Sequence, residues 1–395
     1  MKVLQICHKP PLPAIDGGCL AMNDISNGLI KKGCDLKILT LSTTKHPFRK
    51  DKLSDNYLRT TKIEHVQIDT DLKPSAAFMN LFSSESYNIN RFYSKEFEEK
   101  IVSQLKSNRF DVIHLESLFV VPYLSVIRKN STAKVVYRAH NIEQQIWWEK
   151  YSQCNNPLKK SYLKILHQRL KRFEDQHLNS FDGIASISKM DIQKLKELGC
   201  TIPCVEIPFS INPTIYYPTS TNASNDLFYL GSLDWMPNIE GLNWFIKNCW
   251  EKLVSKHPNL KLHIAGKSMP ESIAKIKTKG IVIHGEVPDA MDFIRAQGIM
   301  IVPLFSGSGI RIKILEGMAL EKAIVGTSKA MEGIHLTEKE GCIADTSEEF
   351  CAAIEKLHLN SELQQEMGKN ARNFVKKHFN NDEIINQLME FYSAI

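Results

Sequence analysis

Residues 299–320 read IMIVPLFSGSGIRIKILEGMAL. The run from Ile299 to Leu304 is apolar throughout and of a length that suits a strand buried on both faces. Gly307 and Gly309 follow it. Apolar residues then recur at Ile310, Ile314, Leu315 and Met318, the spacing of a helix with one buried face. A buried strand that runs through a glycine loop into an amphipathic helix is half of a βαβ unit, and such units build parallel sheets. Ligands of those sheets bind outside the carboxyl ends of the strands. Loops that follow strands are therefore where chemistry is expected.

The same alternation extends toward both termini. KVLQIC at the N-terminus reads as a strand, Gly17-Gly18 opens an amphipathic helix, and DLKILTL resumes a strand after Gly33. DVIHLE (from Asp111), KVVYRA (from Lys134), DGIASIS (from Asp182) and CVEIPF (from Cys204) are further strand-like runs. The segment 212–225, NPTIYYPTSTNASN, is polar and turn-rich and reads as a linker. Beyond it the alternation restarts with LFYLGSL, LKLHIAG, IVIHGEV, IMIVPL, AIVGTS and GCIADT. With 395 residues the chain exceeds one ordinary core. The expected fold is α/β: two Rossmann-like doubly wound domains facing across a cleft. The first is 1–211 and the second 226–378, with a C-terminal helix over 379–395 packing back on the first.

No run of 18 apolar residues is present, so no transmembrane helix is expected. MKVLQICHKPPLP reads as a first strand rather than a secretory segment. Nine cysteines without a C-x-x-C pair fit reduced thiols and a cytoplasmic location. Residues 1–205 hold 31 Lys+Arg against 21 Asp+Glu, a surplus of 10, while the rest of the chain is mildly acidic. Such a basic half fits an anionic membrane surface, a phosphorylated acceptor, or simply a solvated surface. No nucleic-acid partner is expected. The span 158–179 carries Lys159, Lys160, Lys164, Arg169, Lys171 and Arg172 opposite an apolar face. It reads as a helix that either docks peripherally on the inner face of a membrane or packs in the ordinary way.

A helix N-terminus exposes unpaired N–H groups and about half a positive charge, so it suits a phosphate. Gly307, Ser308, Gly309 and Ile310 form that mouth, with Arg311 and Lys313 adding fixed charge. Glu316 lies three residues beyond Lys313. It could accept two hydroxyl hydrogen bonds, as from a ribose, or pair with Lys313 at the surface. His140 follows a strand and is read as structural or catalytic. Gly17-Gly18 is a second glycine-opened helix, either a loop that touches a diphosphate or acceptor or a plain turn. HGEVPD (His284 to Asp289), which contains Gly285, Glu286 and Val287, ends another strand. HKPPLPAIDGG lacks the G-x-G-x-x-G of a dinucleotide dehydrogenase.

PLFSGSGIRIKILEGMAL resembles the signature of family 4 glycosyltransferases of the GT-B fold, in the branch reading G-x-G-x-R-x-K-x-L-E-A-M-A. YLGSLDWMPNIEGLNWF (Tyr229 to Phe245) and AHNIE (Ala139 to Glu143) are similar to two more segments of that branch. The resemblance implies a retaining, metal-independent transferase with no cofactor. Its donor would be a UDP- or GDP-linked sugar, and its acceptor a glycan or lipid-linked oligosaccharide in surface polysaccharide assembly. It further implies that Glu316 holds the ribose, that His140 contacts the donor sugar or its phosphate, and that Gly285 to Val287 cradle the base through backbone atoms. Three departures stand out. Ser308 replaces a second glutamate, so the N–H groups of Gly307 to Ile310 would take over its contact. Glu321 stands where relatives have glycine. Ser232 and Asn238 stand where many relatives have Arg and Lys, which leaves the diphosphate charge to Arg311 and Lys313. An epimerase on the same fold and a two-lobed sugar-binding module are the alternatives.

Overall fold

The computed structural model describes residues 1–71, 80, 83, 85–212, 215–219, 224–307 and 309–395. Ser308, together with residues 213–214 and 220–223 of the 212–225 segment, lies outside them. The chain divides into two compact units, Met1–Ser210 with Asn381–Ile395, and Ile211–Asn380.

In the first unit the strands are β1 (Lys2–Cys7), β2 (Asp35–Ser42), β3 (Glu64–Gln67), β4 (Val112–Glu116), β5 (Lys134–Ala139), β6 (Gly183–Ser186) and β7 (Cys204–Glu206). They form one parallel sheet in the order β3-β2-β1-β4-β5-β6-β7. The order reverses between β1 and β4, the place where such sheets open a crevice at their carboxyl ends. Val3, Leu36, Ile38, Val112 and Val136 face one apolar cluster, and Leu4, Leu39, Ile113, Leu115 and Val135 face the other. Alternate residues of each strand thus feed opposite cores, as a sheet covered on both faces requires. The helix Asn381–Ala394 closes the first cluster with Ile384, Ile385, Leu388 and Tyr392. A Cβ on Gly28 would lie 2.3 Å from Ile385 Cγ1, so only glycine lets the helix Gly17–Lys31 approach it.

The second unit holds β8 (Leu227–Leu230), β9 (Leu262–Ala265), β10 (Ile281–Gly285), β11 (Ile299–Val302), β12 (Ala323–Gly326) and β13 (Cys342–Ile343). These also form one parallel sheet, in the order β10-β9-β8-β11-β12-β13, with its reversal between β8 and β11. Segment 212–225, read from sequence as a linker, falls within this unit, which begins at Ile211. Ile211 N donates to Phe379 O at 2.8 Å, and Arg372 Nη1 donates to Tyr216 O at 2.6 Å. Two glycines set the loops at the carboxyl ends of β8, β9 and β11. A Cβ on Gly241 would stand 1.8 Å from Pro303 O, and one on Gly266 would stand 1.8 Å from Gly231 O.

Candidate functional site

The loop after β11 turns through two left-handed residues, Gly307 (φ 98°) and Gly309 (φ 83°), a conformation that favours glycine. A Cβ at Gly307 would come within 2.7 Å of the Trp235 ring. The helix spans Ile312–Ala319, with Arg311 in the capping position and no side chain among the described residues capping that end. Such a helix end carries a partial positive charge that suits an anionic ligand.

Arg311 is buried; its Nη1 donates to Gly309 O and its Cζ lies 5.6 Å from the Trp235 ring centroid. Lys313 is half-buried and turns toward the end of β8. Its Nζ lies 3.1 Å from Asn238 Oδ1 and 4.7 Å from the Tyr229 ring centroid, directly over Gly231. Burial, and then the neighbouring Arg311 charge, push the Lys313 ammonium down to about 7. Asn238 is fixed in turn by donating to Ser232 O at 2.8 Å.

Glu316 does not pair with Lys313. Its Oε1 accepts from Tyr216 Oη at 3.0 Å, and burial raises its carboxyl above the ordinary range. Tyr216 was hidden in the segment read as a linker. Ile310 packs beside Gly333, while Ser308 lies outside the described residues. At the end of β10, Gly285 adopts φ 71° and accepts from Gly266 N at 2.8 Å. Glu286 is exposed and Val287 half-buried, so that loop offers chiefly backbone.

In the first unit, His140 follows β5 and its Nε2 lies 2.7 Å from Glu116 Oε2 at the end of β4. Glu116 is fully buried, and Gln5 Nε2 donates to its other oxygen at 2.8 Å. His114 Nε2 stands 3.2 Å and Arg138 Nε 3.6 Å from the same carboxylate. Although burial opposes ionisation, His114 and His140 hold Glu116 well below the usual carboxylate range. Burial keeps His140 neutral, so its Nε2 carries the proton toward Glu116 and its Nδ1 is an acceptor. Glu116, rather than the neighbouring Arg138 or Glu143, is therefore the group that orients His140. Ser117 beside it has φ 85° and ψ 157°, a strained backbone for a residue other than glycine.

Gly17 and Gly18 begin the helix Gly17–Lys31, whose mouth already holds an anion. The Asp16 carboxylate accepts from Cys19 N at 3.0 Å and pairs with Lys9 at 2.7 Å and His46 at 2.9 Å. Asp16, Cys19 and His46 present ligand atoms within 4.8 Å of one another, but Lys9 Nζ bridges both carboxylate oxygens and closes the group as an ion-pair cluster. The basic helix spans Pro157–His177 and buries Leu163, Leu166 and Leu170. Its Glu174 carboxylate accepts from Glu143 N and Gln144 N at 3.1 and 2.9 Å. Among the described residues, no helix is long and apolar enough to cross a membrane.

Residues 224–360, which contain the glycine loop, Arg311, Lys313 and Glu316, match the family model described as Glycosyl transferases group 1. The enzyme is a glycosyltransferase. Two solved structures place its fold as GT-B. The glycosyltransferase is similar over 100% of its length to 99% of sucrose-phosphate synthase from Thermosynechococcus elongatus, with 14% identity and a TM-score of 0.73. It is similar over the whole of both chains to HepE of Anabaena in complex with UDP, with 13% identity and a TM-score of 0.69. It also shares 25% identity over 304 residues with an uncharacterized 44.6 kDa protein in the cps region of Klebsiella pneumoniae, covering 73% of this chain and 76% of that one.

Proposed function

We propose that the enzyme is a retaining, family 4-type transferase that moves a sugar from a nucleoside-diphosphate sugar to a glycan acceptor in surface polysaccharide assembly. The observation that carries this reading is the mouth of the helix Ile312–Ala319, where Arg311, the Lys313 ammonium and uncapped N–H groups converge beside the glycine loop. The diphosphate binds there, and the ribose hydroxyls bind Glu316 with Tyr216 Oη steadying the carboxylate. UDP is the favoured donor nucleotide, supported by the UDP held in the HepE structure. The polysaccharide context is supported by the cps-region relative.

Transfer breaks the bond between the anomeric carbon and the diphosphate oxygen. The acceptor hydroxyl forms the new bond on the same face and passes its proton to the departing diphosphate oxygen. Charge grows on the leaving oxygen, and Arg311 and Lys313 meet it as preorganised cations. A divalent cation is then not needed for that role, and EDTA should leave turnover unchanged. The decisive experiment is titration with UDP, GDP and ADP followed by an assay of the corresponding sugar nucleotides with glycan acceptors. Micromolar binding of one nucleotide and acceptor-dependent release support the reading. Release without acceptor would point to an epimerase, and no binding would overturn it. The product's anomeric configuration, read by NMR, tests retention.

A further inference from the structure

The first unit contains a cavity of about 600 Å³ at the carboxyl ends of β1, β2 and β3, bounded also by the chain after β4. Its lining divides into three kinds of group. Phe92 and Phe119 stack with centroids 4.5 Å apart, and the His8 ring leans on both at 6.5 and 5.7 Å. Such a half-buried aromatic wall suits the C–H face of a sugar ring. His8 donates through Nδ1 to Glu116 O at 3.0 Å, and burial keeps it neutral, which leaves Nε2 as an acceptor for a hydroxyl.

The third kind is charge. Arg91 lies at the wall with its Cζ 5.4 Å from the Phe92 centroid, and its Nη1 donates to Thr70 O at 3.2 Å. Its Nε is buried and has no hydrogen-bond partner among the described residues, and no carboxylate there forms an ion pair with it. An uncompensated, half-buried guanidinium is costly unless a ligand completes it. Lys45 is exposed at the same cavity. Against these two cations stands Asp71, since Asp16 is already matched by Lys9 and His46.

We propose that this cavity is the acceptor site and that it takes a sugar bearing an anionic substituent, a phosphate or a carboxylate, gripped by Arg91. The inference rests on the reading of the chain as a transferase with a carbohydrate acceptor. His8 links the cavity to the buried carboxylate cluster, since its ring lies 5.9 Å from that of His140 and both hang on Glu116. The sugar stacks on Phe92 and Phe119, a hydroxyl donates to His8 Nε2, and the anion forms paired hydrogen bonds with the guanidinium.

The test is calorimetric titration of the full chain with glucose 6-phosphate, glucuronate, glucose and inorganic phosphate, after UDP binding has been measured separately. Absence of UDP binding fails the donor reading and leaves the cavity test standing. One charged sugar is expected to bind about tenfold or more tighter than both glucose and inorganic phosphate, and the better of the two names the substituent. Arg91→Gln should erase that preference and Arg91→Lys should keep part of it, with UDP affinity unchanged in both. Thermal melts check folding; should Arg91→Gln fail to fold, Lys45→Gln, at an exposed side chain, must still weaken the preference. Equal binding of glucose, phosphate binding as tight as glucose 6-phosphate, binding of none, or a preference that survives Arg91→Gln overturns the proposal.

Discussion

The Lys313 ammonium sits 3.1 Å from Asn238 Oδ1, so a cation carried by the helix after β11 occupies the mouth of the loop after β8. The helix Met236–Phe245 that carries Asn238 contains no cation of its own. Replacing both Arg311 and Lys313 with Met should abolish sugar transfer while melting temperature and circular dichroism stay as in the native protein. Lys313→Met alone should cost about 100-fold in kcat, the usual scale for one preorganised charge-stabilising group. Native turnover in the double variant would sink the assignment.

Because burial and Arg311 push Lys313 to about 7 in the empty site, a bound diphosphate must raise it again. UDP affinity should therefore be highest below pH 7 and weaken up to about tenfold per unit above it. Titrations at pH 8 in buffers of different ionisation enthalpy should show proton uptake on binding, and Lys313→Met should flatten the profile. The same shift acts on folding with a fixed sign. Between pH 7 and the ordinary lysine range the unfolded chain binds the extra proton, so this group makes the fold more stable as pH rises.

Glu316 is assigned to the ribose through the hydroxyl contacts that its carboxylate can accept. Loss of a charged hydrogen bond costs about 1.5–3 kcal/mol, so Glu316→Ala should weaken UDP about 10- to 100-fold. The native enzyme should discriminate against 2′-deoxy-UDP, and the variant should not. Equal discrimination in both proteins would remove Glu316 from the ribose. Tyr216→Phe, which deletes the 3.0 Å bond to the carboxylate, should show a smaller loss in the same direction.

Glu116→Gln keeps the shape of the buried cluster but presents a donor or a neutral oxygen to His140 Nε2. The fixed tautomer of His140 is then lost, and kcat should fall about 100-fold with KM for the donor little changed. The pH–rate profile separates this from simple damage, because the limb that reports His140 should move only if Glu116 sets its protonation. Glu116→Ala, by contrast, leaves Arg138 buried without its anion and should cost about 3–5 kcal/mol of stability.

Gly241 lies inside a helix, where alanine would ordinarily stabilise by about 1 kcal/mol. Here an added methyl would strike Pro303 O at 1.8 Å. Gly241→Ala should reverse the usual sign, lowering the melting temperature or preventing folding. A rise in melting temperature would show that the helix can shift without disturbing the exit of β11.

The strands legible in the sequence were those with apolar runs fed into two cores, such as KVVYRA and IMIVPL. β3 was not, since EHVQ buries only Val66 and lies at the sheet edge, where apolar patterning fades. The glycine loop, Arg311, Lys313 and Glu316 were legible because they are neighbours along the chain. Their partners were not. Asn238 is 75 residues from Lys313 and Tyr216 is 100 from Glu316, and a turn-rich, polar segment gives no sign that one of its tyrosines returns to a helix face. Glu116 lies 24 residues before His140, and only the pairing of β4 with β5 brings them together. The departure at Glu321 has a backbone reason. Its φ is 58°, the conformation glycine favours, and its carboxylate lies 3.7 Å from Arg372 Nε.

The discontinuous first unit sets the order of synthesis against the order of folding. Its sheet leaves the ribosome first with the helix Gly17–Lys31 covering part of the face at Val3, Leu36 and Val136, yet the cover from Ile384, Ile385, Leu388 and Tyr392 arrives only with residues 381–395. The second unit, made in between from one continuous stretch, can finish before the first does. During that interval the nascent chain displays an open hydrophobic face, and a chain cut after residue 380 would keep it open, binding chaperones rather than sugars.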